Sequence, residues 1–293
     1  MKKSLRIFLI LFSIAFAISC STTKVLQENE YRLADNRIRV TNDKRFNTNS
    51  LTPYLKQKPN PSLVFGWNPF LSIYNWSNGN GKAWDKLVHR IGQAPVIYDE
   101  DLVDSSIGNI LNHLEYQGYY GSKVDTDVKV KRKKVYVSYN VTLGKRYPIS
   151  RVDYVLPSRG EFSEVFLKDT SKMSFKTGDF LSEAALETES ERSSSVMRNE
   201  GFFDFNKNHY FFQADTLSDR NSAALTVTVN EYTRNESVRE ATPIRRYFID
   251  KIEISYPKTL NIREKVLRDL TTVYPGQMYS EDAVNSTYSR LSA

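Results

Sequence analysis

Residues 146–152, RYPISRV, recur with small changes as residues 246–252, RYFIDKI. A second pair of segments, GDFLSE at 178–183 and GQMYSE at 276–281, repeats at nearly the same separation. An earlier copy of this second segment is PVIYDE at 95–100, where aspartate replaces the serine. In all three copies Ser or Asp precedes Glu, which predicts a helix N-cap with an acid in the first turn. The chain is therefore expected to be an array of units of about 100 residues.

The segments after the first two caps predict helices of equal length. In the first, apolar residues recur at helical spacing, and Gly118 stops the helix 19 residues after Asp99. In the second, Gly201 stands 19 residues after Ser182. There Ser190, Ser193 and Ser194 occupy core-facing places, so this helix is expected to be real but loosely packed.

The remaining periodicity gives each unit the order β-α-α-β-β. A first strand is predicted near 31–41, 149–156 and 247–256, and a first helix of the first unit near 48–57. Alternating apolar residues predict the strand pairs 122–130 with 135–141, and 206–214 with 225–229. The predicted fold class is α+β, with small sheets that each carry two helices on one face.

These elements define five segments. Residues 1–19 are a predicted signal peptide, and 20–30 form a polar tether. Residues 31–145 are the first unit, with an insertion at 59–93 that contains all three tryptophans. Residues 146–235 are the second unit, and 244–293 are an incomplete third unit with a first strand, a first helix and part of a second helix.

The N-terminus combines a basic start, a 12-residue apolar run at 7–18 and Cys20, the sole cysteine of the chain. A run this short favours a signal peptide over a membrane-spanning helix. Cys20 is predicted to be lipidated, with palmitate among its acyl chains, and Ser21 favours sorting to the outer membrane. The alternative is ordinary signal-peptide cleavage with an unmodified Cys20.

Composition excludes several classes of protein. Hydrophobic residues make up 40% and charged residues 26%, as in a folded globular chain. One cysteine excludes a disulfide framework. Three of the 41 basic residues lie in the leader, so the remaining 38 nearly balance 34 acidic ones, and no nucleic-acid partner is expected.

Nothing in the sequence predicts catalysis, a metal site or a cofactor. His89, His113 and His209 are isolated, and surface or structural roles are expected for them. Ser193–Ser195 lacks the context of a nucleophile elbow. The chain is predicted not to be an enzyme.

A β-α-α-β-β unit repeated after a signal peptide resembles the POTRA domain. The runs CSTTKVLQENEYRLADNRIRV (20–40), LKQKPN (55–60), IYNWS (73–77) and IGQAPVIYD (91–99) are similar to the N-terminal POTRA region of BamA/TamA outer-membrane proteins, and most of all to the lipidated TamA-like form of Bacteroidetes.

The resemblance implies a lipid-anchored protein of the outer membrane that faces the periplasm and assists insertion or translocation of other proteins. Its implied partners are outer-membrane client polypeptides, a C-terminal or separate β-barrel, the lipid of the outer membrane, and an inner-membrane-anchored partner that spans the periplasm. No barrel is expected within this chain. The alternative function is a stand-alone periplasmic binding lipoprotein that recognises peptide or glycan.

By resemblance, the functional feature of such a unit is the edge strand after its second helix, to which an extended polypeptide can add. In the first unit this strand, about 122–130, alternates charges that protect it. In the second, residues His209, Tyr210, Phe211, Phe212 and Gln213 are less protected, so they are the candidate strand-addition edge; a plain edge strand is the alternative.

Two further surfaces are candidates for contact with a membrane or a partner. The insertion contributes Trp67, Phe70, Tyr74 and Trp76, because tryptophan and tyrosine favour the membrane boundary. The alternative is a hairpin that packs its own aromatic residues. The basic run Lys129–Lys134 is either a charged hairpin tip or a site for anionic headgroups.

Overall fold

The repeated segments pair with each other through backbone hydrogen bonds. In a computed structural model of the chain, the N–H of Ile149 donates to the carbonyl oxygen of Asp179 at 2.8 Å, and that of Leu181 donates to Tyr147 at 2.9 Å. Pro148 and Phe180 form the bridge between these bonds. The two motifs of the repeat therefore contact each other directly. The structure describes residues 22–63, 68–157, 160–216, 221–231, 243–257 and 262–292.

The same contact recurs in the third segment. Ile249 donates to Gln277 at 2.8 Å, and Phe248 bridges Met278 as Pro148 bridges Phe180. In the first segment the bridge is Arg32 with Ile97. Each repeat thus fastens the start of its first extended segment to the residues that precede its second long helix.

The described part of the first unit contains three strands, a 3₁₀ helix and three α-helices. In chain order they are β1 (Arg32–Val40), the 3₁₀ helix (Thr48–Tyr54), α1 (Pro69–Tyr74), α2 (Ala83–Ile91), α3 (Glu100–Tyr116), β2 (Lys123–Lys131) and β3 (Lys134–Thr142). The sheet order is β1-β3-β2, with β1 parallel and β2 antiparallel to β3. The predicted first helix at 48–57 is shorter than expected and 3₁₀, and it contains Pro53, which cannot donate a backbone hydrogen bond.

The second unit repeats this arrangement and then continues into the third segment. It contains β4 (Ile149–Val155), α4 (Glu161–Asp169), short 3₁₀ turns at Thr170–Lys172 and Lys207–His209, α5 (Glu183–Asn199), β5 (Tyr210–Asp215), β6 (Ala223–Val229), α6 (Glu264–Leu270) and α7 (Glu281–Ser292). The sheet order is β4-β6-β5, which matches the first unit strand for strand.

The strand predicted at 247–256 is not formed in the described residues. Among the described residues, 243–257 form no strand, and their cross-strand pairing is the bridge from Phe248 to Met278. In the two complete units the first strand pairs in parallel with the last strand of the unit, β3 or β6. The described part of the third segment contains no such strand, so its first segment lacks the ladder that would make it a strand.

The chain divides into two compact units, with residues up to 115 and 119–145 in one, and 116–118 and 146 onward in the other. The core of the first is aliphatic, where Ile110 and Leu114 of α3 meet alternate residues of β3, such as Val137. The second contains a buried cluster rich in aromatic residues, with the members Phe162, Phe166, Met197, Phe202, Phe205 and Val229. The predicted α+β class is confirmed, with two three-stranded sheets of POTRA-like order.

Candidate functional site: the exposed edge of the second sheet

Strand β5 lies at the edge of its sheet and pairs on one side, with β6, from Tyr210–Val229 to Asp215–Ala224. In an edge strand every second residue points its N–H and C=O away from the sheet. In a six-residue strand, the N–H and C=O groups of about three residues are therefore available to an added strand. This matches the predicted geometry of an edge that another polypeptide could extend.

The side chains of β5 alternate between the two faces of the sheet. Tyr210 and Phe212 are stacked on each other, with ring centroids 5.8 Å apart, and lie on the face that the helices cover. Phe211 lies opposite Thr228 on the other face, and 47% of its surface is exposed. Gln213 follows on the same face, opposite Thr226. The open face of the edge thus presents an aromatic ring and a neutral amide.

Tyr210 anchors the strand to the core. Its ring lies 6.1 Å from that of Phe166 and 5.6 Å from that of Phe205, and its hydroxyl lies beside Ser193 of α5. Burial raises the pKa of Tyr210, because the phenolate would lose its solvation. The edge strand is therefore fixed at its beginning and exposed at its centre.

His209 does not belong to the exposed edge, which corrects the candidate set. It ends the 3₁₀ turn before β5, is buried, and has its ring 4.9 Å from that of Phe205. Its carbonyl oxygen accepts a hydrogen bond from Asn230, and its Nδ1 accepts one from the N–H of Asn206. Desolvation lowers the pKa of His209. The sequence does not show that the turn ends at His209 and the strand begins at Tyr210, because residues 209–213, HYFFQ, form one β-favouring run.

The corresponding edge in the first unit is differently built. Strand β2 pairs with β3 alone and reads KVDTDVKVK, with charged residues at every second position. Lys129 and Asp127 form an ion pair at 2.8 Å, and both are exposed. Alternating charges hinder the addition of another strand. Strand β5 carries a single charged residue, Asp215, at its end.

Of the other candidate residues, those of the insertion are separated by the structure. Phe70 and Trp76 are about half exposed, whereas Tyr74 is partly buried and stacks on His89 with ring centroids 4.5 Å apart. Trp67 and Cys20 lie outside the described residues. The basic run is a hairpin tip, in which Arg132 and Lys133 adopt left-handed backbone angles and Lys133 Nζ donates to the Gln27 carbonyl at 2.6 Å.

The isolated histidines and the serine run Ser193–Ser195 are either packed within the fold or hydrogen-bonded to it. His89 stacks on Tyr74, and His113 stacks on Tyr54 at 4.0 Å. Desolvation lowers the pKa of His113. Ser193 and Ser194 are buried, and Ser195 donates to Glu281 at 3.1 Å. In the described ranges no three His, Cys, Asp or Glu side chains are grouped as metal ligands.

The sequence analysis missed an ion-pair network with two buried acids beside this edge. Arg192 donates to Asp169 and to Glu189, with nitrogen–oxygen distances of 2.6 Å to each, and Glu189 also accepts from the N–H of Ser174 at 2.8 Å. Both acids are buried, and their hydrogen bonds, first from Glu189 and then from Asp169, raise the pKa of Arg192. A signal was available, since Glu189 lies on the buried face of α5 together with the serines.

The end of α5 carries a second missed contact, which binds the third segment. Arg198 Nε donates to Glu281 at 2.7 Å, and this cation lowers the pKa of the Glu281 carboxyl. The N–H of Tyr247 donates to the Gly201 carbonyl at 2.8 Å. Gly201 has a φ of +95°, and a Cβ there would lie 2.8 Å from Met278 Cγ. The predicted helix stop is thus also a docking point for the next repeat.

A family model described as "POTRA: Surface antigen variable number repeat" matches residues 36–144, which contain most of β1 and all of α1–α3, β2 and β3. The first unit is therefore similar to a POTRA domain over these residues. The second unit repeats the POTRA strand order with β4, β6 and β5, so the chain carries POTRA-like units in tandem.

Solved structures of POTRA proteins are similar to the chain. POTRA3-5 of BamA from Haemophilus influenzae is 13% identical, with 92% of this chain and 88% of that chain covered and a TM-score of 0.45. POTRA1-3 of Omp85 from Anabaena is 14% identical, with 90% and 85% covered and a TM-score of 0.29.

CdiB from Escherichia coli is 9% identical over 72% of this chain and 29% of that chain, with a TM-score of 0.26. No curated protein matches the sequence. Among the residues that the structure describes, none of the POTRA helices has the length and apolar character needed to cross a bilayer.

Proposed function

We propose that this chain is a non-enzymatic POTRA scaffold in the periplasm, part of an outer-membrane machine that inserts or translocates proteins. Cys20 would carry its lipid anchor. A client or partner polypeptide would add as a strand beside β5. The β-barrel, the inner-membrane-anchored partner and the client polypeptides are partners that the family resemblance suggests.

One observation carries the proposal: the two units share a fold, yet of the described edge strands that follow the second helix, β2 has alternating charges and β5 does not. Backbone hydrogen bonds would supply most of the affinity, so clients of many sequences could bind. Phe211 would add apolar contact on the open face, where it is already half exposed. Val128, an exposed apolar residue between Asp127 and Lys129, provides the comparison on the charged edge β2 of the first unit.

Site-specific photo-crosslinking in cells that depend on the full-length protein tests this directly. A benzoylphenylalanine at position 211 is expected to capture outer-membrane polypeptides during their synthesis. The same probe at position 128 is the matched control and is expected to capture at least fivefold less. Introducing Gln213→Lys beside the probe at 211 places a charge on the edge and should reduce the adducts to the level at 128.

Two results would count against strand addition at β5. One is equal labelling from positions 211 and 128. The other is the absence of adducts at 211 while the protein carrying the probe still supports growth.

A second candidate function, a binding lipoprotein for peptide or glycan, is favoured by a cleft in the first unit. The cleft has a volume of about 580 Å³, and its lining includes Lys24, Glu30, Tyr74 and His89. Aromatic and charged groups together suit a polar ligand. Thermal-shift measurements with saccharides and short peptides test it: a concentration-dependent rise in Tm that Tyr74→Ala abolishes would support it, and no shift would exclude it for those ligands.

A further inference from the structure

Helix α2 of the insertion turns its apolar side chains outward. Trp84, Leu87 and Ile91 are 49%, 47% and 50% exposed, and their spacing of three and four residues places them on one face. The buried face is formed instead by Asp85 and Val88. Surface helices normally bury their apolar stripe against the core, so this helix is inverted relative to the usual arrangement.

The orientation of α2 is fixed by the loop before it. The Asp85 carboxylate accepts from the Ser77 hydroxyl at 3.0 Å, the Asn78 N–H at 2.8 Å and the Gly81 N–H at 2.7 Å. These backbone donors lower the pKa of Asp85, so it stays charged. At the other end a Cβ on Gly92 would lie 2.5 Å from the N of Tyr74. The N-terminal end of the helix is therefore held by the preceding loop, and its C-terminal end lies against Tyr74 at the end of α1.

A row of cations borders the exposed apolar face. Lys82, Lys86 and Arg90 follow one another at intervals of four residues, and all three are exposed. No acidic side chain in the described part of the chain pairs with any of them. The acid of α2 itself, Asp85, points inward to the loop. The outer surface of this helix is therefore apolar on one side and purely cationic on the next.

Further aromatic side chains adjoin the helix. The indole N–H of Trp84 points at the carbonyl oxygen of Trp76 at 3.4 Å, so Trp76 lies beside it. Trp76 is also half exposed. The N–H of Gln93 donates to the Phe70 carbonyl at 2.9 Å, which places Phe70 near the end of α2. The insertion thus forms a helical hairpin of α1, the loop after it and α2. Its exposed apolar residues include Trp76 in the loop and Phe70 in α1 as well as those of α2.

The structure also brings this hairpin to the N-terminal tether. The N–H of Val25 lies 3.3 Å from Asn75 Oδ1, and Leu26 is buried. Val25 is five residues after Cys20, and five extended residues span at most about 18 Å. A lipid on Cys20 would therefore hold the hairpin near the membrane surface.

We propose that α2, with Trp76, binds the interface of an anionic lipid membrane. The helix would lie in the plane of the membrane, with Trp84, Leu87 and Ile91 among the upper acyl chains and the cations among the headgroups. A lipid surface fits better than a protein because tryptophan favours this boundary and because the cations have no acidic partners among the described residues. The lipid-anchored protein would then be attached at two points.

Vesicle flotation of the chain from Ser21 onward, which contains every described residue, tests the proposal without the lipid anchor. The protein is expected to float with vesicles of phosphatidylcholine containing about 30 mol % phosphatidylglycerol, and much less with phosphatidylcholine alone or at high salt. Leu87→Ser with Ile91→Ser should reduce the partition coefficient at least tenfold. Leu167→Ser, at an equally exposed leucine of α4, is the control and should change nothing.

Replacing Lys82, Lys86 and Arg90 with glutamine should remove the preference for anionic vesicles, a loss of roughly tenfold or more. The same replacement of Lys129, Lys131 and Lys133 in the other basic run should leave binding within twofold. Circular dichroism establishes that each variant is folded. The proposal is overturned if the α2 variants float like the unmodified protein, or if sedimentation shows that this face instead forms a dimer that Leu87→Ser dissociates. Vesicles contain no polypeptide, so neither result bears on strand addition at β5.

Discussion

Helices α3 and α5 occupy the same place in the two POTRA-like units, and residue numbers 83 apart correspond from cap to stop. Ile110 of α3 corresponds to Ser193 of α5, and both are buried. Ser106 likewise corresponds to Glu189. The fold therefore accepts either an aliphatic or a polar residue at the same core position.

The difference is explained by what the neighbours contribute. Beside α3, aliphatic residues of β3 complete the core. Beside α5, the small Ser193 leaves room for the ring of Tyr210, while phenylalanines of α4 and of the segment after α5 fill the rest. Buried Glu189 is tolerated because Arg192 and the Ser174 N–H satisfy its carboxylate. The serines of this face are buried, as their core-facing places predicted.

The largest effect on stability is expected when Ile110 of α3 is replaced with serine, the residue at the corresponding position of α5. Ile110→Ser leaves a cavity with an unsatisfied hydroxyl and should lower the free energy of unfolding of the first unit by about 4 kcal/mol. Urea unfolding followed by tryptophan fluorescence measures this, because all three tryptophans lie in the first unit. A cost below about 1 kcal/mol would show that the first unit repacks as readily as the second.

Removing the buried charge from α5 should cost nearly as much. Glu189→Gln leaves Arg192 with Asp169 alone and is expected to destabilise the second unit by about 3 kcal/mol. Glu191→Gln, two residues along the same helix, breaks an exposed ion pair with Lys207 and should cost less than about 0.5 kcal/mol. Far-UV circular dichroism reports the change, and the tryptophan transition should stay in place. Equal effects of the two variants would refute the role given to burial.

A smaller effect is expected at the end of α5. Gly201→Ala strains a positive φ and brings a methyl group against Met278, for a cost of about 2 kcal/mol. Gly178→Ala, with a φ of +94° and open space around it, should cost about 1 kcal/mol. Met278→Ala should relieve part of the Gly201→Ala penalty in a double-mutant cycle. Additive effects would mean that Gly201 serves the helix stop and not the docking of the third segment.

The smallest effect on stability is expected at buried Ser194, in comparison with buried Ser106. Ser194 Oγ has no hydrogen-bond partner in the described residues, so Ser194→Ala should be neutral or stabilising by up to about 0.5 kcal/mol. Ser106 of α3 donates to Leu102 at 2.6 Å and accepts from the Lys56 N–H at 2.9 Å. Ser106→Ala should therefore cost about 1–2 kcal/mol. The same chemical denaturation measures both, and a loss at Ser194 would reveal a partner for its hydroxyl.

Much of the fold could be predicted because its signals are local. The caps at Asp99 and Ser182 and the stops at Gly118 and Gly201 follow from backbone geometry, and both glycines have positive φ as a helix stop requires. Strand alternation likewise placed β3 and β6. The strand near 247–256 was wrong in the described residues, because alternation detects a strand's pattern but not its partner.

The site was less predictable because it depends on contacts between distant residues. No periodicity tells that His209 turns inward while Phe211 turns outward. The pairing of Arg192 with Asp169 joins residues 23 apart, and nothing in their spacing indicates it. In the insertion the apolar stripe of α2 is visible in the sequence, but whether it faces core or solvent depends on the burial of Asp85. Such outcomes require the packed structure.

The bridge between the repeated segments is made by backbone atoms, so it places few demands on the side chains at its centre. Proline and phenylalanine fill it in one copy, phenylalanine and methionine in another, arginine and isoleucine in the first. Mutation can therefore alter these positions over evolutionary time while the joint persists. The amino-acid sequences of such repeats can diverge until no similarity is visible, and the repeats can still be duplicated, deleted or exchanged as whole modules.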